Sequence, residues 1–144
     1  MIFGIFRNKQ GEAMNKEAIR TLNKVEELPI KDKKWVAKHL LEKIIQYVGE
    51  LEDLKIPSPQ ADRILKIHVN EATLWRQKAI GPLEDNDPQW LLAAMLESFA
   101  HANTGTFGKK ESLKTIISIR NWIEENAPTE FKKNKKKLER YEYG

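Results

Sequence analysis

No cysteine occurs anywhere in this chain. A disulfide framework, thiolate metal sites and a cysteine nucleophile are therefore excluded. No apolar stretch is long enough to span a bilayer. The most hydrophobic one, residues 88–102, is interrupted by Glu97, Ser98 and His101. A glycine-rich phosphate cradle is also missing. Gly105, Thr106, Phe107, Gly108 and Lys109 come nearest, but two residues separate the glycines where a P-loop needs four. Lys110 stands where a hydroxyl residue is required, and a helical pattern rather than a strand precedes the loop. There is no internal repeat, and no strand-like alternation runs beyond the first six residues.

What is present is a chain of 144 residues, 40% hydrophobic and 32% charged. That length suits one domain with a self-sufficient core, and the charge content implies well-solvated outer faces. The net charge of +4 is unevenly placed. Residues 1–108 balance to zero, so the whole excess lies in residues 109–144. Any acidic partner is expected at that basic end. The opening apolar run, residues 1–6, has no basic region before it and is too short for the core of a signal peptide. Residues 1–10 are expected to dock on the bundle. A membrane-touching tip backed by Arg7 and Lys9 is the weaker alternative, because four apolar side chains give only loose, reversible attachment. A cytoplasmic location follows as the expectation.

Apolar periodicity gives five clear helices and a weak sixth. The first covers about 12–28, with Met14, Ala18, Leu22, Val25 and Leu28 along one line, and stops before Pro29. The second covers about 33–55 after Asp32 as N-cap. Its stripe is Val36, Leu40, Ile44, Tyr47, Val48, Leu51 and Leu54, with Gly49 read as the close approach of a neighbour or a kink. Ser58 and Pro59 start the third, which runs to about 79 with Ala61, Ile64, Leu65, His68, Ala72, Trp75 and Ala79 inward. The fifth, about 110–126, has Leu113, Ile116, Ile117, Ile119 and Ile123 on its apolar side. Residues 129–144 form a basic tail, weakly helical or disordered, with a thin stripe of Phe131, Leu138 and Tyr141.

Residues 88–102 carry the most information. Eleven of these fifteen residues are apolar, and they occupy nearly every side of a helix. Such a helix needs packing partners on more than one side. The fold class is therefore all-α: a single-domain bundle, residues 1–128, of five to six helices around a central apolar helix at about 88–102.

Three helices carry a histidine near a carboxylate: His39 with Glu42, His68 with Glu71, and Glu97 with His101. Di-metal bundles use such spacings, but their ligands must converge inward. His39 and Glu42 lie about 120° or more from the stripe of their helix, so only His68 faces a core. No metal ligand, cofactor or catalytic residue is assigned.

Candidate partner residues come from side chains outside the apolar stripes. Trp90, Ala93, Ala94, Glu97 and His101 share the far side of the central helix, with Trp90 as the natural anchor. Arg120 falls within the apolar arc of the fifth helix and must pair or snorkel. Trp35 and Trp122 fall away from their stripes. The expected function is a non-enzymatic protein–protein interaction module of the adaptor, regulator or toxin-neutralising type, binding another protein or a second copy. The alternative is a small nucleic-acid-associated protein using Lys132, Lys133, Lys135, Lys136, Lys137 and Arg140 on phosphates. A metal-binding helical bundle ranks third. Membrane attachment is not expected.

Overall fold

The computed structural model describes residues 2–51, 58–78, 88–103 and 108–139, and their side chains except those of residues 2–8, 62, 65, 69, 72–78, 103 and 139. Among the described residues there are six α-helices and no strand: α1 (Ile2–Glu26), α2 (Ile30–Glu50), α3 (Pro59–Lys78), α4 (Pro88–Asn103), α5 (Lys109–Asn126) and α6 (Pro128–Glu139). The chain is an all-α bundle. None of these helices is long and apolar enough to cross a membrane.

Proline and short capping side chains set the helix starts. Ser58 Oγ accepts the Ala61 backbone N–H at 3.1 Å, ahead of Pro59 in the first turn of α3. Pro88 and Pro128 open α4 and α6, where a missing N–H costs nothing. The second helix begins earlier than expected. Pro29 occupies its N-cap position, its carbonyl accepts the N–H groups of Asp32 and Lys33, and Asp32 lies in the first turn. A carboxylate there favours the helix dipole as well as a cap would. The expected contact at Gly49 is absent: a Cβ built there meets nothing within 4 Å.

α4 packs against α1, α2, α3 and α5. Leu91, Leu92, Ala93, Met95 and Ala100 are fully buried, with Leu96 and Phe99 nearly so. Polar contacts reveal helix directions. Lys24 meets Trp90 while the other half of α1 faces Glu97 and His101, so α1 and α4 are antiparallel. Asn15 meets Thr115 and Glu26 meets Trp122, so α1 and α5 are parallel. Glu50 meets His68 and Lys43 meets Glu71, so α2 and α3 are antiparallel. Around α4 the neighbours therefore follow the order α1, α5, α2, α3, each packed on the next. Among the described residues, α3 and α1 have no contact comparable to these.

Two segments depart from their sequence reading. Residues 2–11 continue α1 as helix, and whether Ile2, Phe3, Ile5 and Phe6 dock lies outside the described side chains. The basic tail is helical as far as Glu139. α6 packs on α2 and α5 and buries Phe131 and Leu138, seven residues and two turns apart on one face. Two large side chains suffice for a twelve-residue helix when both reach the core.

Two substitutions test this packing. Phe131→Ala is expected to destabilise by about 3–5 kcal/mol, read by denaturant unfolding; a loss near zero removes α6 from the core. Gly49→Ala is expected to stabilise by about 0.5–1 kcal/mol, since the added methyl meets open space and raises helix propensity.

Candidate functional site

A groove of about 420 Å³ lies between α1 and α4. Its apolar lining is Ala13, Met14 and Ala94, and its polar lining is Gln10, Glu17, Glu97, Ser98 and His101. The groove exists because small residues occur at intervals of one turn. Ala94 and Ser98 on α4, and Ala13 on α1, leave room that larger side chains would fill. Residues 94–101 and 10–17 each run about two helical turns along it. Its chemistry is that of a recess with carboxylates at the edge.

Three of the five residues expected on this side of α4, namely Ala94, Glu97 and His101, line the groove together, while Ala93 is fully buried. The expected anchor does not. Trp90 is 9% exposed, belongs to the core and is covered by α1, whose Lys24 ammonium sits 5.7 Å from the ring centroid. Trp90 is thus used by the fold through burial and a cation–π contact. Ser98 is the groove residue that the sequence reading missed. Its 80° offset from Trp90 put it outside the face drawn through that residue.

Trp122 is likewise interior rather than a rim residue. It is 5% exposed, and its indole Nε1 donates to Glu26 Oε1 at 2.6 Å. Glu26 also faces Lys33 Nζ at 3.6 Å, so α1, α2 and α5 meet at one carboxylate. The buried face of α5 is Ser112, Thr115, Ile116, Ile119, Trp122 and Ile123. It is turned away from the expected arc, and Ile117 is exposed. The cause is α1, which takes the small polar side of α5: Thr115 Oγ1 lies 3.2 Å from Asn15 Oδ1 and donates also to the Glu111 carbonyl. Arg120 consequently sits about 100° round from Ile119, half-buried at the edge of the core rather than in its middle.

The histidines separate by environment. His39 Nδ1 is 3.2 Å from Glu42 on the outer side of α2. His68 is 2% exposed; its Nε2 is 2.7 Å from Glu50 Oε2 and its ring meets Tyr47 edge-on. Its Nδ1 has no hydrogen-bond partner, so this core histidine is satisfied at one nitrogen only. Among the described residues no group of three or more histidine and carboxylate side chains converges on a point.

A second surface lies on α2 and α6. Lys132, Lys133, Lys135, Lys136 and Lys137 are exposed on α6, while Arg140 lies outside the described residues, as do Tyr141 and Tyr143. Trp35 on α2 is 36% exposed, and its ring lies 4.6 Å from that of His39. Comparison of the chain with protein-family models, with curated proteins and with solved structures found no match.

The three-helix junction is open to measurement. Trp122→Phe keeps most of the buried area and removes the hydrogen bond to Glu26, which stays solvated and faces Lys33, and is expected to cost about 0.5–1.5 kcal/mol in denaturant unfolding. Glu26→Gln keeps an acceptor and should cost less. Equal stability of Trp122→Phe and wild type would show that the 2.6 Å contact is dispensable.

Proposed function

We propose that this protein is a non-enzymatic interaction module that works in the cytoplasm and receives a segment of another protein in the α1–α4 groove. One observation carries the reading. The groove is an apolar recess left open in a helix that is otherwise covered on every side, and it is edged by Glu17 and Glu97. A folding domain gains by covering such a strip, since apolar area removed from water is worth about 25 cal/mol per Å². A strip kept open beside carboxylates suits a short apolar segment flanked by lysine or arginine. Two helical turns of groove fit two turns of a partner helix, or one or two of its side chains. An adaptor, a regulator and a toxin-neutralising protein all work through faces of this kind.

The test is affinity capture from the native host with three proteins in parallel: wild type, Ala13→Trp and Glu97→Lys. Ala13 is exposed and Glu97 half-buried at the groove edge, so both variants should keep the wild-type melting temperature. The expected result is a partner held by wild type and lost by both variants. Ultracentrifugation separates a foreign partner from a second copy. A partner retained by both variants would place binding elsewhere on the molecule.

A further inference from the structure

The outer face of α2 near its start combines charge and an aromatic ring in a way the fold does not require. Lys31, Lys34 and Lys38 recur at intervals of three and four, so they stand in a row along one side of the helix. All three are exposed, and Trp35 stands beside them, 36% exposed, with the His39 ring against it. The buried side of α2, from Val36 to Val48, points the opposite way. Packing therefore does not explain why a tryptophan occupies this position.

The bundle brings α6 to the same place. Lys43 and Glu50 tie α3 to one flank of α2, and α4 and α5 take its inner side. The flank left for α6 is the one that carries Lys34 and Lys38. The helix ends agree. Trp122 of α5 and Lys33 of α2 both reach Glu26, so α5 finishes where α2 starts, and α6 begins immediately after it. With Phe131 and Leu138 turned inward, the α6 lysines are held outward on an ordered helix. The two rows make one basic surface on which the carboxylates are few: Asp32 in the first turn of α2, Glu42 facing His39, and Glu130 on α6.

We propose that this α2–α6 surface binds single-stranded nucleic acid, with the lysines on phosphates and Trp35 as the shelf on which one base stacks. The cations of the surface are lysines, which neutralise phosphate charge without the bidentate geometry that reads base edges, so recognition is independent of sequence. A protruding indole beside such a row offers its face to an unpaired base; in a duplex that face of the base is already stacked. An acidic membrane fits less well. Ile30 is the other exposed apolar side chain here, at 68%, but five residues place it about 140° round the helix from Trp35. One flat lipid surface cannot take up both.

The experiment is fluorescence anisotropy of the full chain with labelled oligothymidylate, with a duplex of equal length, and with phosphatidylserine vesicles as a separate arm, across a salt series. Wild type is expected to bind the single strand more tightly than the duplex. The triple variant Lys31→Glu, Lys34→Glu, Lys38→Glu should lose roughly tenfold or more at low salt and show a salt slope shallower by about 0.7 per phosphate contact removed. Trp35→Ala should lose about fivefold or more with the slope unchanged, and Trp35→Phe should recover most of it, because phenylalanine still stacks. All these positions are exposed, and circular dichroism melting checks that the variants stay folded. Full affinity in the triple variant overturns the proposal, as does equal affinity for duplex and single strand. Binding to vesicles with none to the oligonucleotide replaces it with the membrane reading. The α1–α4 groove shares no residue with this surface, so Ala13→Trp should leave oligonucleotide binding intact, and the two readings fail separately.

Discussion

The fold depends on covering α4 from every direction. Each large apolar side chain taken from water contributes roughly 1.5–3 kcal/mol, and α4 presents Leu91, Leu92, Met95, Leu96 and Phe99 on sides too far apart for one neighbour to reach. At sixteen residues it is also near the length at which an isolated helix is marginal. Its helicity and its burial must therefore come together with its neighbours. This explains the unusual relation of α1 and α2. They are joined by a short turn and meet through Lys33 and Glu26, yet they do not form the usual hairpin pair; each lies against α4 or α5 instead.

Polar contacts between helices then select which neighbours meet and in what register. Exposed ion pairs are worth little in stability, typically about 0–1 kcal/mol, and the half-buried Lys43–Glu71 pair still reaches water through both side chains. The contacts with one buried end have more influence. His68 Nε2 on Glu50 and Trp122 Nε1 on Glu26 would each be left unsatisfied by a shift of one residue, and an unmet buried polar group costs about 1–3 kcal/mol. Thr115 against Asn15 acts similarly on the small side of α5. These three contacts lie at the edge of the apolar core and discriminate between bundles that would bury similar areas.

Helix number and helix class were legible because they rest on local chemistry. Proline at 29, 59, 88 and 128 marks the boundaries, and apolar periodicity marks the inner faces of α2 and α4. The roles of Trp90, Trp122 and Arg120 were not legible, because each depends on α1. Trp122 reads as an outlier on its own helix until Glu26, distant in sequence, supplies its partner. Arg120 reads as central only while Leu113 and Ile117 are counted as core; once α1 occupies the side of Ser112 and Thr115, the arc turns and Arg120 moves to its margin. α6 was underestimated for a related reason. A sparse stripe says how many side chains can be buried, not how deeply, and the depth at Phe131 is set by α2 and α5. The groove was partly legible: Ala94, Glu97 and His101 share a face by spacing alone, whereas its opposite wall on α1 could come only from the packing.

The features left over after folding are what bear on activity. Trp90 and Trp122 are accounted for by burial and by a cation or a carboxylate, so they need no further role. Trp35 is not accounted for in that way. Its neighbours on the outer face of α2 are lysines and a histidine, and it is not part of the buried apolar cluster. The same reasoning separates the glutamates. Glu26 and Glu50 satisfy buried donors, while Glu17 edges an open recess and makes only a distant contact, at 4.0 Å, with Arg20. A bundle of this size could have filled the α1–α4 recess with larger residues than Ala13 and Ala94. On α2 and α6 the lysines outnumber Asp32, Glu42 and Glu130, so one scaffold carries a recess with acidic edges and a basic face. Neither surface draws on the side chains that cover Leu91, Leu92 and Met95, so the core around α4 is independent of both.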